Sequence, residues 1–291
     1  MPDERPLPRV SPPRIFPVAT RASRPPADSA GSADAYRQAG FVLGDDLDLA
    51  IRGLELEGAI AEAASGARHR NQVVASGLAL WSRSWLARLQ ALHAVEWGNY
   101  SSAFPLLRAS ADYEAASIYL LQTSASEWDD WLISGAIAPA PADHATEIRL
   151  TAFRAAEVMA TNEPLARIYR ATTDLTMPHF ATSVLLTASD STPERVLATF
   201  GDRDFHVGLA QLALGWVLEL SVLRLAIVTA PGTPFPVPDA PAVGRFAADV
   251  AARLAIRDRC RLEIVERGGH PRYLIHEWRR VPSAQGKRLL L

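Results

Sequence analysis

Apolar residues recur every three or four positions along most of this chain, which is the spacing of one face of a helix. The stretch 45–65 carries such a stripe in Leu47, Ile51 and Leu54. Similar patterns predict helices over about 71–97, 101–123, 143–160, 162–176, 204–229 and 243–266. The sequence therefore predicts an all-α fold, an antiparallel helical bundle of about six to eight helices.

Proline clusters divide the chain into four parts. Eight of the 21 prolines lie within residues 1–31, and because proline removes hydrogen-bond donors and fixes φ, this segment is expected to be a disordered arm. A second cluster predicts a linker at 230–242. The bundle domain is then expected at 32–229, and residues 243–291 should form a C-terminal helix and a basic tail, in which a short strand could follow His270.

The longest apolar stretch, residues 207–230, is long enough to cross a membrane. It contains Glu219 and Arg224, and each charge at a bilayer centre costs about 2.5–3.5 kcal/mol. We therefore interpret the stretch as a helix buried inside the bundle, with Glu219 and Arg224 near one another, and expect no membrane partner.

Two features predict a cytoplasmic location. The first 31 residues contain no apolar segment of the kind that a secretory signal requires. Cys260 is the one cysteine among 291 residues, which fits a reducing compartment and excludes a disulfide framework.

Charge is distributed unevenly along the chain. The formal net charge is −2, but ten basic and four acidic residues follow position 251, so that this part carries about +6 and the remainder about −8. A basic surface with interleaved aromatic residues is typical of nucleic-acid contacts. The candidate contacts are Arg272, Trp278, Arg279 and Arg280, and the alternative is a basic tail that is solvated or docked on the bundle.

Arg108 is the first candidate for a binding site. It directly follows two leucines in a predicted helix, and Asp112 lies one turn later on the same face, where the two can pair. An arginine at the edge of an apolar stripe needs either an acidic partner or an anion. Arg108 and Asp112 therefore form either a buried ion pair or an anion-binding site.

A second stretch carries Tyr169 and Thr173 on a helix that Pro178 ends, with His179 just beyond it. A helix C-terminus stabilises protonated histidine. His179 is thus a candidate acid, base or switch, and equally a simple helix cap.

These two stretches resemble bacterial all-helical proteins related to the HEPN superfamily. The resemblance covers roughly residues 70–228 and consists of Leu-Leu-Arg-x-x-x-acid at Arg108 and Asp112, followed by Tyr-x-x-x-Thr and the histidine, at Tyr169 and His179. It implies a helical bundle, often dimeric, that binds RNA or a nucleotide in a bacterial defence, phage-defence or regulatory system. Some members of that superfamily are RNases, so a metal-independent RNase activity is one implication.

The catalytic signature of the superfamily is an arginine followed four to six residues later by a histidine. Arg88 and His93 match it. Two residues five positions apart on one helix point about 140° away from each other, which suits a shared site poorly. Whether the protein is an enzyme is therefore left open, with Arg88, His93 and His179 as the candidates.

No cofactor and no metal site are predicted. The seven histidines show no spacing typical of metal ligands. Asp45, Asp46 and Asp48 resemble an acidic magnesium motif, but they lie at a predicted helix N-terminus, where carboxylates are favourable in any case.

The alternative class of function is a non-catalytic protein that dimerises or docks a partner and has no small-molecule site. Aromatic residues are enriched at protein interfaces. The tryptophans that would form such a surface are Trp81, Trp85, Trp128 and Trp131.

Overall fold

The structure is a computed structural model that describes residues 10–29, 31–65, 72–122, 154–192 and 194–291. Helices dominate these residues, which confirms that the protein is mostly helical. The helices are α1 (Ser32–Val42), α2 (Gly44–Ser65), α3 (Gln72–Glu96), α4 (Tyr100–Gln122), α5 (Ala155–Thr161), α6 (Glu163–Thr176), α7 (Phe180–Thr187), α8 (Val207–Val228) and α9 (Ala240–Leu254).

The helix α8 lies at the centre of the fold, where it packs against α2, α3, α4 and α9. It is long and apolar enough to cross a membrane by length and composition, but 67% of its most apolar window is buried by the rest of the protein. That burial matches the interpretation of residues 207–230 as a core helix.

A sharp turn joins α3 to α4, the most extensively packed helix pair. Gly98 adopts φ +70° in this turn, a conformation that glycine reaches without steric cost. A Cβ at this position would lie 2.1 Å from the carbonyl oxygen of Arg203. The helix predicted to end at residue 97 is therefore followed by a turn in which a residue larger than glycine would clash with the backbone of Arg203.

The C-terminal part departs from the predicted all-α fold. The helix predicted over 243–266 ends at Leu254, and the chain then forms the antiparallel strands β1 (Arg261–Arg267), β2 (His270–Trp278) and β3 (Lys287–Leu290), in the order β1-β2-β3. Gly268 and Gly269 both have positive φ and form the two-residue turn of the β1-β2 hairpin. The two glycines therefore turn a hairpin, at the place where the helix predicted over 243–266 was expected to end.

The sheet segment docks on the first turn of α8. The backbone N–H groups of Val207 and Gly208 donate to the carbonyl oxygens of Arg280 and Arg279, at 2.9 and 3.0 Å. These donors have no partner inside their own helix. The C-terminal part of the chain is thus joined to the bundle rather than hanging from it as a tail.

The N-terminal arm contains no helix or strand over residues 10–29, yet its last part is held against α3. The N–H of Ala22 donates to Glu96 at 3.2 Å, and the indole of Trp97 donates to the carbonyl of Ser23 at 3.0 Å. Residues 1–9 lie outside the described residues, so their disorder remains a prediction. Most of the helix predicted over 143–160 also lies outside the described residues.

Candidate functional site

Arg108 projects from α4 toward α6 and contacts two hydroxyl groups there. Its Nε donates to Thr173 Oγ1 at 3.1 Å, and its Nη2 donates to the Tyr169 hydroxyl at 3.3 Å. The guanidinium also lies over the Tyr169 ring, 5.4 Å from its centroid. Two stretches that are about 60 residues apart in sequence therefore form one cluster, which we call the Arg108 cluster: Arg108, Asp112, Tyr169 and Thr173.

The pair formed by Arg108 and Asp112 is loose and exposed to solvent. Their closest charged atoms are 4.0 Å apart, and the two side chains are 43% and 42% exposed. The hydrogen bond to Tyr169 raises the pKa of Arg108. Partial burial raises the pKa of Asp112, and the nearby guanidinium offsets part of this effect. Of the two interpretations, the structure therefore favours an accessible arginine over a buried ion pair.

His179 lies apart from the Arg108 cluster. It precedes the first turn of α7, is exposed, and makes no side-chain cap to that helix. Its backbone carbonyl accepts a hydrogen bond from Ser183, so the described contacts of this residue are made by its main chain.

The predicted catalytic pair is not brought together. Arg88 is completely buried and forms a two-pronged ion pair with Glu57, at 2.7 and 2.6 Å. His93 is partly exposed, and its Nε2 contacts the carbonyl of Thr20 in the N-terminal arm at 3.0 Å. Arg88 is therefore paired with Glu57 inside the bundle, whereas His93 contacts the N-terminal arm.

The ion pair of Arg88 belongs to a buried charge network that the sequence patterns did not reveal. Glu114 on α4 pairs with Arg224 on α8 at 2.8 Å, and all four charged side chains are fully buried. Trp81 connects the two pairs, because its indole donates to Glu57 at 2.7 Å and its ring lies under the Arg224 guanidinium. Among the described residues, Nη1 and Nη2 of Arg224 have no hydrogen-bond partner.

Glu219 and Arg224, which were expected near one another on the helix, each pair with a residue of another helix. Glu219 pairs with Arg167 of α6 at 2.7 Å, and Arg224 pairs with Glu114 of α4. The signal for the buried network was present in the sequence as charged residues inside apolar stripes, but their partners depend on how the helices pack.

Three of the four residues proposed for nucleic-acid contact are engaged within the protein. Trp278 is buried against the His206 ring, with centroids 4.5 Å apart. Arg279 pairs with Glu277 at 3.1 Å, and Arg280 pairs with three aspartates. These are Asp190 at 2.8 Å and Asp202 and Asp204 at 3.3 Å each. Arg272 is exposed, so accessibility favours it among the four.

The acidic residues at the start of α2 include one, Asp46, that forms ion pairs in the interior of the protein. Asp46 is fully buried and accepts hydrogen bonds from Arg253, at 2.9 Å to its Nε, and from Arg259. Within the part of the chain that the structure describes, no group of three or more potential ligands could hold a metal ion. Two arginines thus occupy the carboxylate that a metal would need.

Comparison with protein-family models, curated proteins and solved structures finds no match for this chain. The resemblance to the HEPN superfamily accordingly stays a prediction.

Proposed function

We propose that this protein is a helical binding protein that recognises a phosphate group, of RNA or of a nucleotide, at the Arg108 cluster. The observation that supports the proposal most is the setting of Arg108, which is 43% exposed and whose hydrogen-bond partners are two neutral hydroxyl groups. Among the described residues, the nearest carboxylate to this positive charge is the exposed one of Asp112, 4.0 Å away and not hydrogen-bonded to it.

The geometry suits an anion because the contacts use only part of the guanidinium. Arginine has five N–H donors in a planar fork, and Thr173 and Tyr169 accept from its Nε and its Nη2. The ring of Tyr169 restricts the orientation of the plane. The remaining donors can form the paired hydrogen bonds that a phosphate accepts.

We propose binding rather than RNA cleavage. What supports this choice is the burial of Arg88, whose guanidinium is occupied by Glu57 and Ser221. In an acid-base mechanism the reacting group must lie within hydrogen-bond reach of the substrate. A bacterial defence or regulatory setting comes from the resemblance alone.

The proposal can be tested by fluorescence anisotropy with a labelled 12-nucleotide single-stranded RNA and with a fluorescent ADP analogue. We expect Arg108→Gln to weaken binding at least tenfold and to reduce its salt dependence. The two probes distinguish RNA from a free nucleotide.

A matched control is available in Arg83, which donates to the Tyr113 hydroxyl at 3.0 Å and lies over the Tyr113 ring. We expect Arg83→Gln to leave binding within twofold of the unchanged protein. Equal losses in both variants would indicate general electrostatic attraction and would overturn the proposal.

The second candidate is an interaction or dimerisation protein, and of the four tryptophans predicted for its surface Trp85 is half-buried. Trp81 is only 2% exposed, and Trp128 and Trp131 lie outside the described residues. Exposed apolar side chains occur instead at Phe180, Val196 and Phe200. If these three side chains join two copies, light scattering should show a dimer whose dissociation constant rises at least tenfold when they are replaced by serine.

A further inference from the structure

An apolar groove lies between α2 and α3, away from the Arg108 cluster, and the N-terminal arm passes over it. Its volume is about 670 Å³, within the usual range for small-molecule sites of about 300–1,000 Å³. Leu54 and Gly58 of α2, Leu78, Trp81 and Trp85 of α3, and Phe16 of the arm contribute to its lining.

The arm covers this groove without filling it. Its side chains Ile15, Phe16 and Val18 line the groove but remain 41%, 73% and 44% exposed. The segment that follows them is anchored, since Thr20 donates to Glu55 at 3.2 Å and Ala22 donates to Glu96. An apolar occupant would therefore bury surface both on the helices and on the arm.

The charges around the groove favour a cation. Glu55, Glu57 and Glu62 line it, against one basic residue among the described lining, Arg14. Both carboxylate oxygens of Glu57 are used by Arg88 and Trp81. Glu55 and Glu62 are exposed and form no ion pair within the described residues, so their negative charge remains available at the rim.

We propose that this groove binds a small lipophilic cation, an amine or quaternary ammonium carried on an alkyl or aromatic body. The body lies against Trp85 beneath the arm and against Phe16 of the arm, and the cationic group lies at the rim beside Glu55 and Glu62. The proposal is independent of the Arg108 cluster, and Arg108→Gln leaves it unchanged.

The test is isothermal titration calorimetry with decyltrimethylammonium and decyl sulfate, both below their micelle-forming concentrations. Circular dichroism checks in parallel that the fold is retained. We expect the cation to bind at least tenfold more tightly than the anion of equal chain length. Equal binding of the two, or tighter binding of the sulfate, would overturn the proposal.

Gly58 provides a way to fill the groove. A Cβ at this position has nothing within 4 Å, and replacing glycine in a helix favours the helix. Gly58→Phe should weaken binding at least tenfold. Gly40→Phe on α1 is the matched control, because Gly40 has equally open surroundings and does not line the groove. Unchanged binding by Gly58→Phe would contradict the proposed location.

A second variant tests the charge at the rim. Glu55→Gln combined with Glu62→Gln should reduce the preference for the cation over the sulfate to less than threefold. If the full preference persists, these carboxylates do not recognise the ligand, and the proposed chemistry is wrong.

Discussion

His206 is a neutral histidine built into the start of α8. Its Nδ1 accepts a hydrogen bond from the N–H of Leu209 at 3.2 Å, and its ring packs against Trp278. Burial, together with the nearby charge of Arg280, lowers the pKa of His206 to about 4. Because the unfolded side chain titrates at about 6.5, the unfolded chain takes up a proton that the folded protein excludes.

This difference predicts a loss of stability in acid. The contribution of His206 is fully present above pH 6.5 and is lost as the pH falls toward 4, by about 3 kcal/mol in the free energy of unfolding. His206→Asn retains an acceptor for the helix N-terminus and removes the titration. Urea unfolding at pH 7, 5 and 4 should show a weaker pH dependence for this variant.

The control is His270→Asn, because His270 is exposed on the hairpin. We expect this variant to follow the pH dependence of the unchanged protein. A curve for His206→Asn that runs parallel to both would show that His206 does not titrate in this range.

The thiol of Cys260 should be unreactive in the native protein. It is 1% exposed, and burial raises the pKa of its thiol to about 12 despite the nearby arginines Arg279 and Arg259. Since the thiolate is the reactive form, the native protein should not react with a disulfide reagent at pH 8. One equivalent should react in urea, and rapid native labelling would contradict the burial.

At the scale of elements, the buried pair of Glu114 and Arg224 joins α4 to α8. Removing one partner leaves a buried charge without compensation, which costs about 3–5 kcal/mol, whereas replacing both by apolar residues is much less harmful. Glu114→Leu should therefore destabilise the protein strongly, and adding Arg224→Leu should restore part of the loss. Urea unfolding of both single variants and the double variant measures this coupling.

An exposed pair in the same fold provides the comparison. Glu163 and Arg170 are 3.3 Å apart, and both are more than half exposed. Exposed pairs contribute about 0–1 kcal/mol, so Glu163→Gln should change the free energy of unfolding by less than 1 kcal/mol. Equal effects at the two sites would mean that burial does not determine the contribution of Glu114.

The sequence predicted well those elements whose signals are local. The helix predicted over 162–176 matches α6, whose start is capped by the Asn162 side chain, which accepts a hydrogen bond from the N–H of Leu165. The helix predicted through residue 266 is wrong in its second half, because Leu262 and Ile264 lie in β1. This strand pairs with β2, and β2 pairs with β3, so the structure depends on residues that follow the predicted helix. Periodicity over a short apolar run does not distinguish these cases.

The Arg108 cluster shows the same limit for a candidate site. Arg108 and Asp112 could be paired from their spacing, and Tyr169 could be placed near Thr173 on the next stretch. Their meeting depends on how α4 and α6 pack. His179 follows in the same stretch of sequence, but no contact with the cluster is found among the described residues. It lies beyond the end of α6, between Pro178 and the start of α7.

At the scale of the whole molecule, the acidic bundle and the basic C-terminal part neutralise each other. Arg253 and Arg259 bind Asp46 at the start of α2, and Arg280 binds three aspartates. Three of the ten basic residues after position 251 are therefore used for docking on the bundle, namely Arg253, Arg259 and Arg280.

This pairing predicts that Asp46 connects the two ends of the chain. Asp46→Asn removes the carboxylate that pairs with Arg259 and leaves Arg253 paired with Asp45 alone, and it should cost about 3 kcal/mol, as for other broken buried pairs. Hydrogen exchange should also become faster in β1 and β2. Asp48→Asn is the control, because Asp48 pairs with Arg21 on the surface, and a similar loss in both variants would argue against a special role for Asp46.

The carbonyl groups that cap α8 have a consequence for the order of assembly. The central helix is synthesised well before Arg279 and Arg280, yet two donors of its first turn are satisfied by the carbonyls of these residues. During translation the first turn of α8 therefore lacks these two acceptors until the hairpin has been synthesised and has packed against it. A chain interrupted before Arg279 would contain every helix and still leave this end open to water or to chaperones.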